Sequence, residues 1–432
     1  MSTAPPSPPA AAEEGSPESQ PRTFGKAFKE SFLEGNAVTV TVLALVLAMV
    51  VGGLLAAFTN PAVLHAPGGS VIPKAWDVAS ATYVALFEGS VFNPHTVSAL
   101  FHQASIGTAI HDGYLSAVFG PLSETAVGAT PLILTGLAVA LPYQAGLFNI
   151  GGQSQFIGGA IMAAWLGYAV SLPFFVHVVV CVLGGFAGGA AIGWVAGELK
   201  ARTGAHEVIV TIMLNYVMQY LLAYLLSSPS LLRISGSPNP ITAPIASDAH
   251  LPLIAGSNLR INVGFLIAIA CAIAAWWLLN RTTTGFEFRS VGANPSAARV
   301  AGMKVERSWV LVFLIAGGLA GLAGSAVIQG TDFTLNPQSY GTYGIDAITV
   351  ALLGRGKPGG VVAAGLLFGA LHAGSPGMQN AASTPVQIVQ VLQALIVLFV
   401  IAPPLVKAIF RLRATRASGE TGTTMAKGGM SA

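Results

Sequence analysis

The chain has 432 residues, of which 53% are hydrophobic and only 9% are charged, whereas a soluble domain carries roughly 25% charged residues. This composition excludes a soluble globular protein. The formal net charge of +3 is spread over the ends of apolar runs, so no nucleic acid is expected as a partner. The 51 glycines and 26 prolines suit membrane helices, and the predicted surroundings are membrane lipid.

The two ends of the chain differ in composition from its middle. Residues 1–37 are rich in Pro, Ser, Ala and Glu, which predicts a disordered cytoplasmic tail, and residues 411–432 are expected to form a second cytoplasmic tail. Between the tails, ten apolar runs are candidates to cross a hydrocarbon core of about 30 Å. They are residues 38–58, 126–142, 149–170, 173–197, 207–227, 262–280, 309–329, 344–354, 359–374 and 386–410.

This pattern predicts an all-α polytopic membrane protein with a transmembrane domain over residues 38–410 and some short or broken helices. Cytoplasmic segments of membrane proteins carry an excess of Lys and Arg. With the amino terminus inside, every one of the 20 basic residues except Lys74, Arg233 and Arg260 falls on the cytoplasmic side. Both termini are therefore predicted to be cytoplasmic.

Enzyme signatures are incomplete wherever they begin. His206 and Glu207 start an H-E-x-x-H pattern, but Val210 stands where the second zinc ligand is required. The sequence G-R-G-K before Pro358 evokes a phosphate-binding loop, but the first glycine and the following Ser or Thr are missing. No catalytic or metal-binding residue is predicted, and no cofactor is expected in this chain.

Polar residues inside apolar spans are costly in hydrocarbon and tend to face a bundle interior or a cavity. In the fifth span, polar residues recur every four positions and therefore share one helical face; they are Glu207, Thr211, Asn215 and Gln219. Two interpretations stay open, the lining of a solute path or hydrogen bonds that hold helices together. Glu207, at the cytoplasmic end, is expected to be an exposed cap.

The third span opens with unusual polarity, because residues 149–155 read N-I-G-G-Q-S-Q. This pattern predicts a broken helix with Asn149 as a cap, at which a hydroxyl-rich solute would bind near Asn149, Gln153 and Gln155. An ordinary turn at the membrane surface is the alternative. Asp346 and His372, in later spans, are isolated ionisable residues of a kind that more often lines a mouth or packs than binds a ligand.

Small residues recur at small-xxx-small spacing in the fourth and seventh spans, and such faces let helix backbones approach closely. They are Gly184, Gly185, Gly188, Gly189 and Gly193, then Gly317, Gly318, Gly321 and Gly324. These faces predict close packing and are compatible with sliding of helices during transport.

The cytoplasmic loop 281–307 is predicted to contain a short helix. Asn294 and Pro295 open it, and Gly302 ends it, in the order expected for a cap, an early proline and a terminal glycine. Ala297, Ala298 and Arg299 continue the helix, and the small alanines suit a close-fitting socket. A basic loop with only a structural role is the alternative.

Four blocks of the sequence resemble the permease subunits of bacterial ABC importers for nucleosides and simple sugars, within a larger group that includes ribose and branched-chain amino acid permeases. The blocks are PLILTGLAVALPYQAGLFNIGGQSQFIGGA (131–160), GAHEVIVTIMLNYV (204–217), TTTGFEFRSVGANPSAARVAGM (282–303) and GIDAITVALLGRGKPGGVVAAGLLFGAL (344–371). Relatives often read N-I-G-x-E-G-Q where this chain has Gln153 and Ser154 in place of the Glu-Gly pair. The contact with the solute therefore differs here, or the glutamate of the relatives is structural.

The resemblance implies a permease that moves a nucleoside or a simple sugar across the inner membrane of a bacterium. It also implies an ATP-binding subunit that holds ATP and Mg²⁺, an extracytoplasmic solute-binding protein, and a second, shorter permease in a heterodimer. The loop 292–302 resembles the coupling helix that docks on the ATPase; its predicted residues are Gly292, Asn294, Pro295, Ala297, Ala298, Arg299 and Gly302.

Two other classes of protein fit the sequence less well. An ion-coupled secondary transporter needs titratable residues deep in its spans, and few Asp, Glu, Lys or Arg residues occur there. An intramembrane enzyme needs a nucleophile or a metal site, and no such constellation is apparent in the sequence.

Overall fold

The computed structural model describes residues 37–94, 96, 98, 114–256 and 258–410. The predicted tails, 1–37 and 411–432, lie outside these ranges except for residue 37. The described residues form helices and two isolated β-bridges. They divide into two compact units, residues 45–401 and a small unit made of 37–44 and 402–410. The larger unit holds all the sites described below.

The helices are α1 (Ala37–Thr59), α2 (Pro61–Leu64), α3 (Val71–Ser90), α4 (Tyr114–Gln144), α5 (Gly152–Ala169), α6 (Phe174–Thr203), α7 (Glu207–Leu225), α8 (Val263–Arg281), α9 (Thr283–Ala293), α10 (Pro295–Val300), α11 (Val305–Val327), α12 (Tyr343–Leu353), α13 (Pro358–Ala382), α14 (Gln387–Ile401) and α15 (Pro403–Ile409). A π-helical turn, Ile328–Asp332, extends α11, and 3₁₀ turns occur at Gly68–Ser70 and Ser247–Ala249.

Seven of the described helices, α1, α4, α6, α7, α8, α11 and α13, are long and apolar enough to cross a membrane. Helices α5, α12 and α14 occupy the other three predicted spans, but they are shorter or more polar. Each of the ten predicted runs thus contains a helix, which confirms the all-α polytopic fold. The short α12 has 11 residues and extends about 16 Å, too little to span the hydrocarbon core alone.

Between the first two predicted apolar runs, 38–58 and 126–142, the chain contains helices that the search for apolar runs did not predict. This part of the chain holds α3 and the first turns of α4. Lys74 and Asp77 interrupt the apolar character of α3, so that a search for apolar runs misses it. In α4 the polar residue Glu124 has the same effect, and its carboxylate pairs with Arg260 at 3.0 Å.

Helices α4 and α11 form the centre of the larger unit. Of the residues in their most apolar stretches, 89% and 78% respectively are buried, whereas the corresponding fraction for α7 is 17%. The hydrophobic core contains fully buried side chains from both helices, including Leu137 in α4 and Phe313 in α11. The membrane-length helices α6, α8 and α13 pack against this pair.

Helices α6 and α11 meet along a seam of glycines. A Cβ atom added to Gly189 would lie 2.2 Å from the carbonyl oxygen of Gly317, and one added to Gly321 would lie 2.2 Å from that of Gly185. The two backbones are therefore in direct contact, with no room for side chains. This confirms the close packing predicted from the small-xxx-small spacing.

Candidate functional site

The chain is not helical between α4 and α5, at residues 145–151, which confirms the predicted break. Helix α5 begins at Gly152, and its N-cap is Gly151. Asn149 was predicted to cap this helix, and that prediction is wrong. The Asn149 side chain accepts a hydrogen bond from the backbone N–H of Gly151 at 3.0 Å, in a local turn that precedes the cap.

Asn149 is completely buried, and its amide repairs a defect in α4. Pro142 has no N–H, so the carbonyl of Ala138, one turn earlier, lacks its helical partner. The Asn149 Nδ2 group donates to that carbonyl at 3.0 Å and also to Gln155 Oε1 at 3.0 Å. The position that looked like a solute contact therefore completes the backbone hydrogen bonding at the end of α4.

Asn215 fastens the same turn to α7. Its Nδ2 group donates to the carbonyl of Ile150 at 3.0 Å, and its Oδ1 accepts from the backbone N–H of Ser154 at 2.9 Å. Thr211, one turn earlier, is fully buried, and a Cβ atom added to Gly151 would lie 3.1 Å from its Cβ. Both residues therefore hold α7 against the turn.

Gln153 connects the turn to the segment that leads into α12. Its Nε2 group donates to the carbonyl of Gly341 at 3.3 Å, and its Oε1 is buried with no hydrogen-bond partner. A Cβ atom added to Gly344 would lie 2.3 Å from the backbone nitrogen of Gln153, so the two backbones touch. An ionised carboxylate in place of the Gln153 amide has no hydrogen to donate to Gly341.

The structure thus brings the five predicted path residues together around one turn. They are Asn149, Gln153, Gln155, Thr211 and Asn215. Glu207, by contrast, was expected to be an exposed cap, and this expectation is wrong. Its carboxylate is largely covered and forms an ion pair with Lys200 at 2.8 Å.

Asp346 in α12 and His372 in α13 were predicted to be isolated, and the structure pairs them. The His372 Nε2 atom lies 3.7 Å from Asp346 Oδ2. Thr342, one turn before Asp346, donates its hydroxyl to the same oxygen at 2.6 Å. The sequence missed this pair because its members lie on different helices, and no periodicity relates them.

The cytoplasmic segment between α8 and α11 forms the predicted short helix, α10. The Asn294 side chain accepts from the backbone N–H of Ala297 at 3.0 Å, Pro295 occupies the first turn, and Gly302 ends the segment with a left-handed φ of 86°. The capping pattern read from the sequence is therefore confirmed, together with its proline and glycine.

The two alanines of α10 were expected to face a partner together, but only one of them is exposed. Ala298 is buried against Val291 and Val305 of its own chain, and a Cβ atom added to Gly292 would lie 2.3 Å from the Gln144 carbonyl oxygen. Val300, for which the sequence predicts no role, is 91% exposed. An apolar side chain held this far out of the protein is an available contact for a partner.

A bundle of membrane-length helices that encloses polar groups and a broken helix is the architecture of a membrane transport protein. Residues 122–401 match the family described as the branched-chain amino acid transport system / permease component. The chain belongs to this permease family, and it is the multi-pass permease subunit of an ABC importer in the cytoplasmic membrane.

Three relatives illustrate the match. The chain is 35% identical over 305 residues to a guanosine ABC transporter permease of Bacillus subtilis, covering 68% of this chain and 86% of the relative. It is 36% identical to a glucose ABC transporter permease of Haloferax volcanii, over 66% and 77% of the two chains. It is 34% identical to a nucleoside ABC transporter permease of Lactococcus lactis, over 69% and 86%. No solved structure shows a significant match.

Proposed function

We propose that this chain and a second, shorter permease form the membrane path of an importer for a nucleoside or a simple sugar. An extracytoplasmic solute-binding protein delivers the solute, and an ATP-binding subunit holds ATP and Mg²⁺ and hydrolyses the nucleotide. The similarity to guanosine, nucleoside and glucose permeases over more than three quarters of each relative carries this proposal. Nucleosides and sugars share a ring that bears hydroxyl groups.

Uptake by cells that express the complete transporter tests this function. We expect ATP-dependent accumulation of labelled guanosine or labelled glucose at least about tenfold above cells that lack this chain, since active import works against a gradient. An ATPase subunit disabled in hydrolysis is the control. Labelled leucine is the comparison, because the family description names branched-chain amino acids. Uptake of leucine with neither of the other two solutes would refute the proposed substrate class.

In this proposal the residues around the α4–α5 break form one wall of the solute path. They are Asn149, Gln153, Gln155, Thr211 and Asn215. The side-chain amides of Asn149, Gln155 and Asn215 form hydrogen bonds within the protein. These three residues therefore position the wall. The Oε1 atom of Gln153 has no partner and is the group left to accept a hydrogen bond when the path opens.

The same proposal assigns the segment from Gly292 to Gly302 to coupling with the ATPase. Exposed residues of α10 and of the residues flanking it form the docking surface, among them Asn294, Pro295, Ala297, Arg299, Val300 and Gly302. Gly292 and Ala298 face their own chain, so they position the helix. Arg299 is held by an ion pair with Glu306.

Replacing Val300 with glutamate is expected to disconnect the ATPase. A socket that accepts this apolar side chain would have to bury an unpaired carboxylate, which costs several kcal/mol, so affinity for the ATPase falls by about 100-fold or more. Co-purification of the ATPase with a tagged permease measures the effect. Ile254→Glu is the matched control, because Ile254 is an exposed apolar residue in the connection between α7 and α8, far along the chain from α10. Equal ATPase recovery with both variants would contradict the docking assignment.

A further inference from the structure

We propose that Asp346 and His372 form the site at which a ring hydroxyl of the transported solute is held halfway across the membrane. The inference rests on the proposed import of a nucleoside or sugar, since it names the chemical group of that solute which the permease recognises. This site is separate from the amide cluster at the α4–α5 break, which is made of Asn149, Gln153, Gln155 and Asn215. Asp346 and His372 lie on α12 and α13 instead.

The depth of Asp346 follows from its neighbours on α4. A Cβ atom added to Gly136 would lie 2.9 Å from Val350 Cγ1, so Gly136 and Val350 lie at the same depth along the membrane normal. Gly136 precedes Gln144, the cytoplasmic end of α4, by eight residues, and Asp346 precedes Val350 by four. At 1.5 Å per residue, Asp346 lies about 18 Å above the cytoplasmic end of the helix.

The depth of His372 follows independently from α13. This helix begins at Pro358, two residues after Gly356, whose carbonyl accepts a hydrogen bond from Gln144 Nε2 at 2.8 Å. His372 lies 14 residues further on, which corresponds to about 21 Å. Both helices therefore place the pair near the middle of a hydrocarbon core that is about 30 Å thick.

The pair is partly open to its surroundings at this depth. The side chain of His372 is 35% exposed and that of Asp346 is 17% exposed. Gly341 and Thr342, in the non-helical segment just before α12, are exposed as well. Ionisable groups and irregular backbone are tolerated at this depth only when buried in protein or next to a water-filled cavity. The His372 Nε2 atom is itself buried, but the rest of its ring and part of the Asp346 side chain are exposed, and in this proposal that exposed side faces the solute path.

The chemistry of the pair fits a hydroxyl group. Oδ2 of Asp346 accepts a hydrogen bond from Thr342, and a carboxylate oxygen can accept more than one. The Nε2 atom of His372 has no hydrogen-bond partner. A hydroxyl both donates and accepts, so a single ring hydroxyl can donate to the Asp346 carboxylate and pair with His372 Nε2 once the path opens. A solute carboxylate would instead be repelled by Asp346.

The amide cluster holds this site in place. Gln153 donates to the carbonyl of Gly341, and its backbone touches Gly344 at the start of α12. Asp346 is only two residues beyond Gly344. Through this contact Gln153 positions the segment that carries Asp346, so the turn and the pair belong to one arrangement.

Thiol labelling tests whether the site borders water, independently of which solute is carried. Asp346→Cys is compared with Ala347→Cys in a background that lacks Cys181 and Cys271. Ala347 is its neighbour on α12 and is fully buried. A small cationic thiosulfonate reagent should modify Asp346→Cys at least about tenfold faster than Ala347→Cys. Equal rates would overturn the proposed position on the path.

Solute analogues test the hydroxyl contact. Asp346→Ala should lower guanosine uptake by about tenfold or more, because a hydrogen bond to a charged acceptor is lost. Uptake of 2′,3′-dideoxyguanosine should fall less than threefold, since the partner hydroxyl is already missing. Where glucose is the imported solute, glucose and its deoxy analogues replace guanosine and 2′,3′-dideoxyguanosine. Uptake is expressed per loaded solute-binding protein, so that capture outside the membrane does not enter the comparison.

Asp332→Asn is the matched control, because Asp332 is an exposed carboxylate at the end of the π-helical turn. It should leave uptake of both compounds unchanged. Equal losses for guanosine and its dideoxy analogue in Asp346→Ala would show that the pair is structural and would overturn the contact while the proposed function stands. A wild-type transporter that imports neither nucleosides nor sugars would refute the proposed function and the hydroxyl contact together.

Discussion

Replacing Gly189 with leucine should abolish recovery of folded protein. The Cβ atom alone would lie 2.2 Å from the carbonyl oxygen of Gly317 and 2.5 Å from the Cα of Gly321. Both are backbone atoms, so no side chain can move aside, and α6 and α11 would have to separate along the seam. Overpacking of well-packed cores costs about 1–3 kcal/mol or more, and a clash with backbone lies at the upper end.

The measurement is the yield of monodisperse protein in detergent by size-exclusion chromatography, which we expect to fall by about tenfold or more. Gly120→Leu is the matched control, because Gly120 is also helical and a Cβ atom added there would have no neighbouring atom within 4 Å. The control should be recovered at wild-type yield. A Gly189→Leu protein recovered as well as the control would show that the seam is not a close contact.

Replacing Asn149 with leucine should destabilise the protein and lower uptake by about tenfold or more. The change leaves the Ala138 carbonyl, the Gly151 N–H and the Gln155 amide without their buried partner. Each buried group that loses its partner costs about 1–3 kcal/mol. The thermal midpoint of the detergent-solubilised protein and the uptake of labelled solute measure the two effects, while capture by the solute-binding protein should be unchanged.

Pro142→Ala in the same chain provides the rescue. Alanine restores an N–H that can donate to the Ala138 carbonyl, so the double variant should regain part of the lost thermal stability. The Gly151 and Gln155 partners stay missing, and recovery should therefore be incomplete. A double variant no more stable than Asn149→Leu would mean that Asn149 does not compensate for Pro142.

Features of single helices were predictable from the sequence, and contacts between helices mostly were not. Apolar length located the spans, and the cap, proline and glycine around α10 located that helix, because each depends on neighbouring residues. The glycine spacing predicted close packing without naming the partner. Asp346 and His372 looked isolated because a sequence does not state which two helices are neighbours.

Two further errors have specific physical causes. Helix α10 has only six residues, too few for a hydrophobic pattern to define its buried side, so the contacts of Ala298 with Val291 and Val305 were not foreseen. Asn149 resembled a helix cap because asparagine is favoured there. Asn149 instead donates to the Ala138 carbonyl, which Pro142 leaves without its helical partner. That carbonyl belongs to α4, the helix before the break.

The glycine seam has a mechanical consequence. Carbonyl oxygens of α6 and α11 sit in notches one helical turn apart, where Gly185 and Gly189 face Gly317 and Gly321. A shift along the axis by less than a full turn, about 5.4 Å, drives these oxygens into opposing backbone atoms. We therefore expect that sliding of α6 along α11 requires the two backbones to separate first. The two helices are expected to move together as one rigid unit. Any alternation between outward-open and inward-open states then has to move α6 and α11 as that unit.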